Sequence, residues 1–126
     1  MLTFALPYPP SINHYWRRVG PRTLISRQGR KFRQDVEVAV RRTGGLRGRL
    51  PLLGQLAVEV LLHPPDRRRR DLDNTLKATL DAMQHAGVYQ DDSQIADLAI
   101  RRCEPCDGGC AIVRVGPLHE PQGSTT

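Results

Sequence analysis

The order of apolar residues predicts an α+β domain, a small mixed β-sheet carrying two main helices. Three features predict it. Leu56, Val58, Val60 and Leu62 alternate with Ala57, Glu59 and Leu61, the two-residue period of a strand. Phe32, Val36, Ala39 and Val40 recur at i, i+4, i+7 and i+8, the buried stripe of an amphipathic helix. Leu76, Leu80 and Met83 repeat a helical spacing further on. At 126 residues the chain is one domain with room for a core, spanning 1–116 and followed by a flexible tail at 117–126.

Each element has a local reason. Leu2, Phe4 and Leu6 alternate with Thr3 and Ala5 as a short strand, which Pro7, Pro9 and Pro10 stop by removing backbone donors. Ser11 to Arg18 mixes aromatic and basic residues, and Thr23 to Ile25 forms a brief strand. Ser26 is the N-cap of a helix reaching about Thr43, where Gly44-Gly45 ends it. Residues 45–54, rich in glycine and arginine, read as a flexible loop before the strand from Leu56. Asp73 is the expected N-cap of a helix from Asn74 to Ala86, with Leu76, Leu80 and Met83 inward and Gly87 as its stop. A strand from Ile95 to about Cys103 follows, then a hairpin turn at Cys103–Cys110 with Asp-Gly-Gly at its tip. Ala111 to Val115 is the expected return strand.

Charge divides the chain. Formal net charge is +6 and the sequence pI about 9.9. Residues 1–65 hold eleven basic against three acidic residues, a net +8, and residues 66–126 hold eight against ten, a net −2. A basic half beside an acidic half suits a nucleic-acid surface next to a metal site. No apolar run approaches the ~18–20 residues of a membrane span, and Leu2–Leu6 is too short for a signal peptide, so a cytoplasmic protein without a membrane partner is expected.

The most informative stretch is Pro65-Asp66-Arg67-Arg68-Arg69-Arg70-Asp71-Leu72-Asp73-Asn74, with Lys77 three residues beyond. In an extended segment Asp71 and Asp73 face one side, whereas in an α-helix they stand about 200° apart. Two hard carboxylates converging on one point suit Mg²⁺ or Mn²⁺, and arginine forks suit phosphate. One of Asp91 and Asp92 can supply a third ligand. Lys77, at i+4 from Asp73, projects back toward the carboxylates. The alternative is a charged turn whose Arg and Asp side chains neutralise one another. Tyr15 and Trp16 either stack on bases or cap the core, with Asn13, Arg17 and Arg18 beside them. Arg27, Arg30, Lys31 and Arg33 crowd the first turns of a helix, where the dipole disfavours cations and an anionic partner would relieve them. Cys103, Cys106 and Cys110 with His119 offer a Cys₃His zinc site as the alternative to reduced thiols around a turn.

The run Pro65–Asn74, with Lys77, Asp81-Ala82, Ala86-Gly87 and Asp91-Asp92, closely resembles the RusA family of Holliday-junction resolvases. The opening from Leu6-Pro7-Tyr8-Pro9-Pro10-Ser11 to Arg17 is similar to that family's N-terminal signature, and the likeness spans most of residues 2–116. It implies a bacterial or phage-encoded homodimeric endonuclease, dependent on Mg²⁺ with Mn²⁺ as a substitute. Such an enzyme binds four-way junction DNA and resolves it by paired symmetric nicks in recombination and repair. By motif position the resemblance gives Asp71, Asp73 and Asp92 the metal and makes Lys77 the essential lysine. Asn74, Arg67, Arg68, Arg69 and Arg70 then support the site or hold phosphates. The cysteine segment and residues 45–54 depart from the family pattern, which bears on junction-arm contacts and cut-site preference. Two other classes compete with this reading, a non-catalytic DNA-binding protein and a zinc-stabilised interaction domain.

Overall fold

The structure, a computed structural model, describes residues 1–46 and 48–118. Among them are six strands in two sheets and three α-helices: β1 Leu2–Pro7, α1 Ile12–Tyr15, β2 Trp16–Val19, β3 Arg22–Ile25, α2 Arg27–Arg42, β4 Leu56–His63, α3 Leu76–His85, β5 Ile95–Arg102 and β6 Cys110–Pro117. The α+β class holds, and the main sheet is mixed, with order β1-β6-β4-β5. β6 runs antiparallel to β1 and to β4, while β5 lies parallel to β4. Alternation along each strand sends Leu2, Phe4, Leu6, Leu56, Val58, Val60, Leu62, Val113 and Val115 into one core with Phe32, Val36 and Met83. Burying an apolar side chain of this size contributes about 1.5–3 kcal/mol, so this shared face dominates the fold's stability.

Several expectations change once tertiary pairing is seen. The segment 103–109 is no hairpin turn. β5 and β6 flank β4 on opposite sides, so the chain passes over the C-terminal end of β4, with Cys103 N–H donating to the Leu62 carbonyl at 2.7 Å and Cys106 N–H to that of Pro64 at 3.0 Å. The Asp-Gly-Gly turn is real, but a turn signal is local and does not choose strand partners. A strand went unpredicted: Trp16–Val19 pairs with Arg22–Ile25 through a turn at Gly20, whose φ is +62°. Leu72–Thr75 forms a 3₁₀ turn before α3, so Asp73 lies inside that turn rather than capping an α-helix. On α3 the buried residues are Ala78, Thr79, Ala82 and Met83, with Leu76 and Leu80 only half-buried. The loop at 45–54 is pinned where it is described: Gln94 Nε2 donates to the carbonyls of Leu52 and Gly54, each at 3.0 Å. β6 extends to Pro117, and Leu118 N–H donates to the Gln55 carbonyl; the remainder of the expected tail lies outside the described residues.

α2 starts as its sequence indicates. Ser26 caps it, its Oγ accepting from Gly29 N–H at 2.9 Å and donating to the Tyr15 carbonyl at 2.9 Å. Gly29 is buried at this junction of α1 and α2, and a Cβ built there would sit 2.4 Å from the Tyr15 carbonyl oxygen. In an open helix Gly→Ala stabilises by about 1 kcal/mol. Here the obstruction is backbone and cannot swing aside, so Gly29→Ala is expected to destabilise by roughly 1–3 kcal/mol, measured as a lowered midpoint in thermal or urea unfolding.

Candidate active site

The site is carried on the connection from β4 to β5. Pro64 and Pro65 take the chain off the sheet, and Asp66 then organises the arginines. Its Oδ1 accepts from Arg68 N–H at 2.9 Å and from Arg70 Nη1 at 2.8 Å. The Arg70 guanidinium bonded to it, and then the Arg68 N–H, hold the Asp66 carboxyl at about 2. This tie is therefore intact above an ordinary carboxylate value near pH ~4 and is lost as pH falls through about 2. Arg70 also lies over the Tyr8 ring, 5.9 Å from its centroid, and Arg102 Nη2 donates to the Arg70 carbonyl at 2.5 Å. Across the gap Arg67 Nη2 pairs with Glu104 Oε1 at 2.8 Å. Asp66, Arg67, Arg70, Arg102 and Glu104 wall a cleft of about 320 Å³ that also includes Arg68, Arg69 and Cys103.

The stretch is therefore bent at residues 65–67, not regularly extended. The guanidinium groups of Arg68 and Arg69 have no partner among the described residues, while those of Arg67 and Arg70 are engaged. Asp71 is extended, with φ −81° and ψ 138°, but Asp73 sits in the 3₁₀ turn. At three residues per turn, positions two apart stand about 120° apart, so strand parity does not bring these carboxylates together. Both are exposed and unpaired among the described residues. One turn later Lys77 reaches Asp92, Nζ to Oδ2 at 3.8 Å.

Asp91 and Asp92 have different duties. The Asp91 carboxylate caps the turn Asp92–Gln94 by accepting from Ser93 N–H at 2.8 Å, while Gln94 Oε1 accepts from Asp91 N–H at 3.1 Å. That Ser93 N–H holds the Asp91 carboxyl below its usual range. Asp92, half-buried, is left to face Lys77. Carboxylate oxygens at 71, 73 and 92 have the hardness a divalent cation such as Mg²⁺ or Mn²⁺ requires. Among the described residues, however, no three His, Cys, Asp or Glu side chains come together as a metal-binding group. The same observation leaves the Cys103, Cys106 and Cys110 zinc site unformed among these residues, with His119 outside them.

A second network lay beyond sequence reasoning. Tyr15 is fully buried, and its hydroxyl donates to Asp81 Oδ2. Arg33 Nη2 donates to the same oxygen at 2.7 Å and its Nε to the Tyr15 hydroxyl at 2.9 Å. Burial first, and the Asp81 carboxylate it donates to, push the Tyr15 phenol up and keep it a donor. Tyr15 thus joins α1 to α3 and is not available to stack on a base, which corrects that expectation. Trp16 meets Tyr15 edge-on, with ring centroids 5.0 Å apart, and remains half-exposed in a concavity with Asn13, Arg17 and Arg18. On α2, Lys31 is paired with Asp35 at 3.0 Å and Arg30 Nη1 donates to the Ile25 carbonyl at 3.2 Å, while Arg27 is exposed. The Asp66 anchor was readable as a short acidic residue placed two and four before its partners. Arg33, Asp81 and Arg102 act through tertiary contacts that no local pattern announces.

Comparison with known proteins identifies the family of the chain. The family described as endodeoxyribonuclease RusA matches residues 7–115. A crossover junction endodeoxyribonuclease from Enterobacteria phage HK97 is 42% identical over 116 residues, 92% of this chain and 94% of the relative. The corresponding proteins of Enterobacteria phage 82 and of Escherichia coli K12 are 38% and 36% identical, over 83% and 85% of this chain and 85% and 87% of their own lengths. The chain belongs to the RusA family.

The division of labour within the Asp pair is open to a direct check. Asp91→Ala removes an N-cap and is expected to cost about 1 kcal/mol of stability. Asp92→Asn removes one half of a largely solvated ion pair and should change stability by less than about 0.5 kcal/mol. Urea unfolding of the two variants measures the difference.

Proposed function

We propose that this RusA-family chain is a divalent-metal-dependent endonuclease that resolves four-way DNA junctions by paired symmetric nicks, acting as a homodimer with Mg²⁺, for which Mn²⁺ substitutes. The observation that carries this reading is the meeting of Lys77 with Asp92. These residues lie fifteen positions apart, yet the fold brings them to 3.8 Å, and Lys77 follows closely on the unpaired carboxylates of Asp71 and Asp73. A bare charge run has no reason to do so.

A divalent cation held by Asp71, Asp73 and Asp92 would polarise the scissile phosphate and activate water. Lys77 then stands where its ammonium can steady the charge that develops on the phosphate, exchanging Asp92 for that partner. Arg68 and Arg69, whose forks are unengaged, are the residues of the stretch best placed to take new phosphates, with Asn74 of the 3₁₀ turn as a further support. Arg67 and Arg70 serve first to shape the cleft. Asn13, Trp16, Arg17, Arg18 and Arg27 form the outer surface on which a junction arm would lie, and Lys31 and Arg30 would have to leave existing partners to join it.

The homodimer has a candidate seam. β5 is the outer strand of the sheet, and Ala96, Asp97, Leu98 and Ala99 are all exposed, Leu98 by 39%. An unpaired strand edge invites another strand. Antiparallel pairing of β5 with its copy about a two-fold axis at Ala99 would set Asp97 opposite Arg101 of the partner subunit and Leu98 opposite Ile100 of the partner subunit. Neither Asp97 nor Arg101 has an ion-pair partner among the described residues. Opposed charges and apolar pairs across strands contribute about 0.2–1 kcal/mol each. The two-fold also suits a four-way junction, which offers two equivalent strands.

Two experiments address these proposals. With a synthetic four-way junction, Asp71→Asn, Asp73→Asn, Asp92→Asn and Lys77→Ala are each expected to lose nicking by at least ~10²-fold while junction binding persists, the scale of losing charge stabilisation in a transition state. Wild-type cleavage in EDTA, or by these variants, would remove the carboxylates and Lys77 from the chemistry. In sedimentation velocity, Asp97→Arg is expected to shift dimer toward monomer and the double exchange Asp97→Arg with Arg101→Asp to restore it. An unchanged mass for the single variant would place the dimer seam elsewhere.

A further inference from the structure

Two thiols in the crossing segment face one another. The Sγ atoms of Cys106 and Cys110 stand 3.5 Å apart, and both residues are half-buried. The fold holds each end. Cys106 N–H is bonded to the Pro64 carbonyl, and Cys110 lies in the sheet opposite Pro7 on one side and His63 on the other. Between them Gly108 and Gly109, at φ +76° and +73°, reverse the chain, and Gly109 N–H closes on the Cys106 carbonyl at 3.0 Å. A disulfide needs about 2.05 Å between sulfurs, so the pair has to close by roughly 1.5 Å.

We propose that Cys106 and Cys110 form a thiol–disulfide exchange site that takes a low-molecular-weight disulfide such as oxidised glutathione and whose closure is felt at the arginine cleft. The Cys106 thiolate attacks one sulfur of the glutathione disulfide, whose S–S bond breaks and releases one glutathione. Cys110, deprotonated in turn, attacks the Cys106 sulfur of the mixed disulfide and expels the second glutathione. Two protein thiols thereby lose two protons and two electrons, which the two glutathione thiols carry away. Burial, and then the neighbouring Cys106, push the Cys110 thiol up, which disfavours Cys110 as the thiolate that opens the exchange.

Closure cannot stay local. Gly109 packs so tightly that a Cβ there would lie 2.9 Å from both Tyr8 Cβ and Pro65 Cδ. Pro65 begins the arginine stretch, and the Tyr8 ring supports Arg70. Shortening the 106–110 loop presses on both and displaces Arg70, whereas Cys103, which lines the cleft itself, takes no part. The exchange site stands on the loop geometry alone; only its effect on the cleft rests on the reading of that cleft as a phosphate site.

The test treats the full chain with oxidised glutathione, quenches it, and maps disulfides by peptide mass spectrometry beside junction-binding titrations. A Cys106–Cys110 disulfide with Cys103 still free is expected. Junction affinity should fall roughly tenfold, the scale of one misplaced charge-assisted contact, and return with dithiothreitol. Cys106→Ser and Cys110→Ser should make binding indifferent to the oxidant, and Cys103→Ser should not. Only glutathione adducts, or a disulfide involving Cys103, would overturn the site. A mapped disulfide with unchanged affinity would overturn the coupling. Failure of the reduced protein to bind junctions would instead count against the nuclease reading, while the disulfide map would still decide the exchange site.

Discussion

Parallel pairing of β4 with β5 is the constraint on which the rest of the molecule depends. Antiparallel neighbours can be joined by two residues, but parallel ones need a crossover that returns the chain to the starting end of the sheet. Residues 64–94 make that return, and every residue proposed to hold the metal or steady the scissile phosphate lies within it. The arginine stretch leaves from the C-terminal end of β4, the 3₁₀ turn and α3 cross the sheet, and the acidic turn feeds β5. The open end of parallel strands is where α/β sheets generally hold ligands. Here β5 supplies Arg102 to the same end, bonded to Arg70.

A cluster of four consecutive arginines is electrostatically unfavourable unless something counters it. Asp66 does so locally, bonding both a backbone N–H and a guanidinium, and Glu104 does so across the cleft. These ties fix Arg70 and Arg67 and leave the guanidinium groups of Arg68 and Arg69 without a hydrogen bond or ion pair among the described residues. An exposed pair such as Arg67–Glu104 contributes little to folding, at most about 1 kcal/mol. Its consequence is instead one of position, since it bridges the cleft that Arg68 and Arg69, with unengaged forks, also line.

How much was legible follows from the range of each signal. The strand at Leu56–His63 and the helix capped by Ser26 were readable because alternation, periodicity and capping are local, and both stand where the residues put them. The residue types and spacing of Asp71, Asp73 and Lys77 suggested the chemistry proposed above, and the family resemblance, not spacing, singled out Asp92 within its pair. The geometry was not readable, because a 3₁₀ turn replaced the extended path on which the convergence of Asp71 and Asp73 had been argued. The crossing at 103–109 was misread for the converse reason: Asp-Gly-Gly signals a turn, while partner choice depended on β4 already being paired on both sides. Tyr15 was ambiguous between base stacking and the core, and burial against Asp81 and Arg33 decided for the core.

α3 shows why helical spacing alone does not assign a side chain's partner. Asp73, Lys77 and Asp81 follow one another at four-residue intervals, a pattern that normally reads as a ladder of mutual ion pairs. The structure divides them among different neighbours: Lys77 turns to Asp92, Asp81 is taken by Tyr15 and Arg33, and Asp73 is left unpaired among the described residues. The division has a physical cause. Arg33 and Tyr15 reach Asp81 where it is only about a quarter exposed, so their hydrogen bonds face less competition from water than the Lys77–Asp92 contact does. The better-shielded network fixes the helix against α1 and α2, and the looser pair one turn earlier stays free to exchange partners. In the mechanism proposed above, a lysine that leaves a carboxylate to meet an incoming phosphate needs both conditions at once, a rigid helix beneath it and a weak bond at its tip.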